Sequence, residues 1–72
     1  MVDTQLLDSK IESSGLKKSF IVEKLGLSRF GFDKKIKGIN PFRVAEIYVL
    51  CDLLNISEEE KRKIFFADEV EQ

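Results

Sequence analysis

Nine Lys and Arg side chains fall between positions 10 and 43 (Lys10, Lys17, Lys18, Lys24, Arg29, Lys34, Lys35, Lys37 and Arg43), against three acids (Glu12, Glu23 and Asp33). The chemistry open to such a run is electrostatic: ammonium and guanidinium groups grip phosphates or carboxylates. The ends have the opposite sign. Residues 1–9 hold two acids, and residues 44–72 hold eight acids against three basic residues, so a net charge of −1 conceals a polarised molecule. A polyanion-binding surface and a merely solvated one both fit this pattern. Catalytic chemistry is poorly supplied, because the chain has no His and one Cys. Cys51 sits among Tyr48, Val49, Leu50, Leu53 and Leu54 and is expected to be a buried packing thiol. No cluster has metal-ligand spacing and no Gly-rich phosphate cradle appears. The acidic clusters read as solvated helix ends, so neither enzymatic activity, nor a metal, a cofactor or a small-molecule substrate is expected.

The elements that must position those charges are helical. Seventy-two residues make one small domain, and a 43% hydrophobic composition with six Phe is enough for a single core. Apolar residues recur at helical spacing throughout, which predicts an all-α fold of five helices. The first runs from Thr4 to Ser14 and stops at Gly15, with Leu7 and Ile11 inward. The second runs from Lys17 to Leu25 and stops at Gly26, with Ile21 and Leu25 inward. Ser28 caps the third, which reaches Lys37 before Gly38 and turns Phe32 and Ile36 inward. Asn40-Pro41 reads as the cap and first residue of the fourth, which continues to Leu54 and buries Val44, Ile47, Cys51 and Leu54. Ser57 to Glu60 forms a capping box for the fifth, which ends near Phe66 with Ile64 and Phe65 in the core. Residues 1–67 are the domain, and the acidic tail 68–72 is expected to fray. A lone Cys, no apolar run of about 20 residues and no leader-like N-terminus predict a cytoplasmic protein without a membrane span.

The informative segment is Lys17 to Gly38. A three-residue turn, Leu25-Gly26-Leu27, separates two short helices, and Phe32 with Ile36 pins the third helix across the second. That leaves the opposite face of the third helix outward, as docking in a major groove requires. Lys18 to Gly38, and more loosely Leu6 to Phe66, resembles the lambda repressor-like DNA-binding domain of bacteriophage repressors and Cro-type regulators. Ile21, Leu25, Gly26, Leu27, Ser28, Gly31, Phe32, Ile36 and Gly38 carry the resemblance. The chain is also similar to very small phage-encoded regulators of Gram-positive bacteria, in Ser28 to Ile36, Leu50 to Ser57 and Ile64 to Ala67.

The resemblance implies a compact five-helix domain with a central helix-turn-helix, and it implies roles. Lys18 would grip a phosphate at the start of the second helix. Arg29 and Phe30 take base-reading positions, with Arg29 suited to the bidentate pairing that guanine offers. Lys34 and Lys37 would meet bases or phosphates further along, Asn40 would contact DNA from the loop, and Arg43 would contact phosphate. Ser28 is either a contact or simply the cap, Asn40 equally an N-cap, and Lys17, Lys34 and Lys35 equally solvated lysines. No structural role is evident for Arg29. The sequence departs from the family pattern at Phe30, where a small or polar residue is usual, at Asp33, which repels phosphate, and at Val22, a bulkier residue where the helices cross.

Two functions follow. The first, placed ahead for the general chemistry of the fold, is a transcription regulator that binds double-stranded operator DNA through helix three in a lysis/lysogeny-type switch, as a possible homodimer on a two-fold site. The second is an antirepressor that binds the DNA-reading domain of a phage repressor, with Arg29, Phe30 and Asp33 as its contacts and the acidic ends facing a basic partner.

Overall fold

The computed structural model describes residues 2–66, and the expected tail 68–72 lies outside the described residues. Five helices follow one another without a strand among them: α1 (Thr4–Ser14), α2 (Lys18–Leu25), α3 (Arg29–Ile36), α4 (Val44–Leu54) and α5 (Glu58–Phe65). None of these helices is long and apolar enough to cross a membrane.

Local chemistry explains most of the boundaries. Asp3 caps α1, its carboxylate accepting from the Leu6 N–H at 3.1 Å. Ser28 caps α3 through its hydroxyl, which accepts from the Gly31 N–H at 3.0 Å. Ser57 and Glu60 cap α5 reciprocally, each side chain accepting from the other's backbone N–H. The turn between α2 and α3 is closed by two backbone bonds, Gly26 N–H to Glu23 O and Leu27 N–H to Val22 O. This pairing needs a left-handed residue, which Gly26 supplies at φ 70° without a Cβ clash. The same pair of bonds recurs at the end of α3, where Gly38 donates to Lys35 O and Ile39 to Lys34 O.

The core draws on every helix. Leu7 and Ile11 from α1, Ile21 and Val22 from α2, Phe32 from α3, Ile47, Leu50 and Leu54 from α4, and Ile64 and Phe65 from α5 are buried together. Val22, for all its bulk, is thus part of the core. Leu25, Leu27 and Ile36 pack partly buried against it. Two connections carry weight as well: Phe42 and Ile56 are buried, and Phe42 meets Phe65 edge-on with ring centroids 5.7 Å apart.

Phe42 also explains the principal correction to the expected boundaries. The fourth helix begins at Val44, not at Pro41, and Asn40 is not its cap. The Ile39 and Asn40 amides are spent closing the end of α3 on Lys34 O, and the chain must then stay extended long enough to drop Phe42 into the core. Arg43 becomes the N-cap residue. A guanidinium has no acceptor, so the cap is made from the other side: the Glu46 carboxylate accepts from the Arg43 N–H at 2.9 Å. Starting three residues later leaves Val44 on the first turn, 66% exposed rather than in the core, and Leu50 takes the central position. Smaller differences are that Lys17 stands at the N-cap position of α2, without a side-chain bond, instead of joining it, Lys37 closes α3 instead of extending it, and Phe66 lies just past α5.

Lys35 is no solvated lysine. Its ammonium donates to Glu46 Oε1 at 2.6 Å, with both side chains nearly buried, so one carboxylate ties α3 to the start of α4. Burial pushes the Glu46 carboxyl up from 4.5, but the hydrogen bonds from Lys35 and the Arg43 backbone, with the charges of both residues, outweigh it and hold the pKa lower. A folded pKa below the unfolded one contributes stability at neutral pH that is lost as pH falls below about 4.5 through the folded value. Glu46→Gln should therefore cost about 2 kcal/mol at pH 7, the scale of charge-assisted hydrogen bonds. The cost should shrink towards pH 3, and urea melts at the two pH values measure it. An equal cost at both would show that the charge of Glu46 contributes nothing.

Candidate macromolecular interface

The outward surface of α3 follows from Phe32, which is completely buried. At 3.6 residues per turn, Phe30, Lys34 and Lys37 fall within roughly 40° of the direction opposite Phe32. They form the crest of the helix. Phe30 is 71% exposed, and the Lys34 ammonium lies over its ring, 4.8 Å from the centroid. At an exposed site that contact is worth about 0.5–1 kcal/mol, enough to bias the lysine towards the ring. Lys37 is exposed and ends the helix, where a cation also complements the helix dipole.

Arg29 lies on the flank, roughly 60° from Phe32 on the helical wheel. Its Nε donates to Asp33 Oδ1 at 3.3 Å, one turn along, while the side chain stays 57% exposed. Arg29 therefore has the structural role that was not evident from the sequence, and Asp33 is the partner that gives it one. Lys18 repeats this arrangement: its ammonium lies 3.9 Å from Asp8 Oδ1 on α1. Lys18, Asp8, Asp33 and Lys37 line one shallow depression, together with Thr4, Gln5 and Ile36. The first turns of α1 and α2 thus meet the second half of α3 on a surface of mixed sign.

The other candidates are not gathered there. Ser28 is committed to its cap on Gly31. Asn40 lines a separate, largely apolar groove with Val2, Ile39, Phe42, Phe65 and Phe66. Arg43 is exposed at the start of α4, where its side chain is available to a partner while its backbone is held by Glu46.

Several features were not singled out from the sequence. Arg29 and Asp33 stand at the i,i+4 spacing that pairs side chains on a helix, a signal that was readable. Lys35 and Glu46 are eleven residues apart on different helices, and no local pattern announces them. Phe20, 39% exposed with the Lys24 ammonium 5.4 Å from its ring centroid, repeats on α2 the Phe–Lys spacing of α3. Cys51 is half-buried rather than buried, and burial pushes its thiol pKa up, with Glu58 adding to the effect and Lys61 opposing it. Among the described residues, no group of three or more His, Cys, Asp or Glu side chains is placed to hold a metal ion. No family model, curated protein or solved structure matches this chain.

Proposed function

We propose that this chain is a small helix-turn-helix regulator of transcription, of the kind that sets a phage lysis/lysogeny switch, and that it acts by binding the DNA-reading domain of a repressor protein. The single observation behind this choice is the pairing of an exposed Phe30 on the crest of α3 with carboxylates on its flank. A large aromatic ring at the centre of an exposed face is the residue type that anchors protein interfaces. Asp33 and Asp8 put negative charge beside Arg29 and Lys18, two cations on which DNA binding would draw, with the Arg29 Nε at 3.3 Å and the Lys18 ammonium at 3.9 Å. A repressor's DNA-reading surface is basic, and acids beside an aromatic anchor complement it.

A second reading, direct binding to operator DNA, is favoured by one specific feature: Lys37 on the crest of α3 and Arg43 at the start of α4 are both exposed cations. The two readings separate in one pair of titrations. The protein is titrated into labelled promoter DNA, and separately into the DNA-reading domain of a helix-turn-helix repressor from the same genome. The proposal expects a stoichiometric complex with the repressor, release of that repressor from its operator, and no shift of DNA by this protein alone. A DNA shift that strengthens steeply as salt is lowered, without a repressor complex, would establish the second reading instead.

A further inference from the structure

We infer that Asp8 and Asp33 are specificity residues that keep nucleic acid off the α3 face. The inference rests on the protein-partner reading, and deepens it by naming the side chains that decide between the two kinds of partner.

The middle of this chain carries an excess of six positive charges along the sequence; Lys35 is tied to Glu46 and Lys10 to Glu60, and the cations that remain exposed attract DNA without regard to sequence unless something opposes them. Two carboxylates are placed to oppose it. Asp33 is on α3 itself and holds the Arg29 guanidinium by its Nε, and Asp8 reaches from α1 to the Lys18 ammonium. Both carboxylates share the depression that Lys18 and Lys37 line. All four charges therefore act together on a phosphate that approaches this depression. Each acid does two things to a phosphate: it repels it, and it offsets the charge of the cation beside it. Towards a basic protein surface the same two acids are attractive. The pairs are half-exposed surface contacts, of the class that contributes little to folding, so removing either acid should leave the fold intact.

The test is a gain of function. Asp8→Asn with Asp33→Asn removes both carboxylates with little change of shape. Binding to a random-sequence DNA duplex is measured by fluorescence anisotropy across a salt series, beside the unaltered protein. Freeing two cations should steepen the slope of log K against log salt by roughly 2 and raise DNA affinity about a hundredfold at ~0.1 M salt, about tenfold for each cation. Asp33→Asn alone should give about tenfold. A control variant, Glu12→Gln with Asp52→Asn, makes the same change in net charge at exposed acids of α1 and α4 outside the depression and should gain no more than a few-fold. Thermal melts by circular dichroism verify that each variant is folded. In parallel, the Asp8→Asn, Asp33→Asn protein should bind the repressor domain more weakly. The inference is overturned if the double variant gains no DNA affinity, or if the control gains as much. The protein-partner reading fails on a separate result, the absence of a complex between the unaltered protein and the repressor.

Discussion

Phe32→Ala is expected to lower the urea midpoint of this protein by about half. Phe32 is the one residue of α3 that is completely buried, and it meets a core assembled from all the other helices. Truncating a buried Phe costs about 3–5 kcal/mol, from lost transfer energy and from the cavity left behind. A domain of this length has about 4–11 kcal/mol of total stability at the usual 0.05–0.15 kcal/mol per residue, so the substitution removes a large part of it. Surrounding side chains cannot close the gap easily, because Leu7, Ile21, Leu50 and Ile64 are themselves buried and fixed on four separate helices. Phe32→Leu, which keeps most of the volume, should lose no more than about 2 kcal/mol and retain the helical circular-dichroism spectrum. Urea denaturation of the two variants measures the difference. A loss below about 1 kcal/mol for Phe32→Ala would mean that α3 does not turn this face inward, and the assignment of its outer crest would go with it.

What was legible in the sequence was what local chemistry determines. The bounds of α1 follow from its apolar pair Leu7 and Ile11 and from Gly15, which takes the left-handed conformation at its end. The cap at Ser28, the turn at Gly26 and the capping box at Ser57 follow in the same way, because their partners lie within five residues. The fourth helix was misplaced because its start is a tertiary matter. Asn40-Pro41 carries a strong local signal, but burying Phe42 against Phe65 is worth more than one cap, and Glu46 supplies another cap three residues later. Val44 was read as core for the same reason: its spacing to Ile47 and Cys51 is right, but its turn projects past the elements that cover them. At the candidate interface, the crest residues Phe30, Lys34 and Lys37 were legible once Phe32 and Ile36 had been assigned inward. The charges around them were only half legible. Asp33 was read for its effect on phosphate and not for its bond to Arg29, and the approach of Asp8 to Lys18 depends on how α1 crosses α2, which no local spacing encodes.

Inside and outside of one helix are thus assigned by neighbouring residues with opposite duties, and the proposed docking surface depends on that assignment. α3 has only eight residues, too few to hold itself together, so its orientation is imposed from three directions. Phe32 anchors it in the core, Lys35 ties it to Glu46 at the start of α4, and the backbone bonds at Gly26 and Gly38 fix both of its ends. A helix held so firmly presents its crest at little further entropic cost, which is what an interface built around one ring requires.

Phe30→Ala should have the reverse signature of Phe32→Ala: a stability change within about 0.5 kcal/mol and a loss of repressor affinity of at least about 2 kcal/mol, roughly thirtyfold. The ring is 71% exposed, so its removal leaves no cavity and forfeits only the contact with Lys34. In the complex the same ring would be desolvated, and the loss should appear chiefly as faster dissociation, the usual way interface truncations act. Isothermal titration and stopped-flow displacement give the two quantities. Phe30→Lys sharpens the contrast, because it replaces the proposed anchor with another cation on the crest. If the partner is the basic surface of a repressor, this variant must bind worse than Phe30→Ala, since it adds like-charge repulsion to the lost contact. Were the partner operator DNA, neither Phe30 variant would alter a repressor complex, and both would change the selectivity for operator over random DNA at the base that Phe30 reads. An unchanged repressor complex in both Phe30 variants would overturn the assignment of this ring as the anchor of that interface.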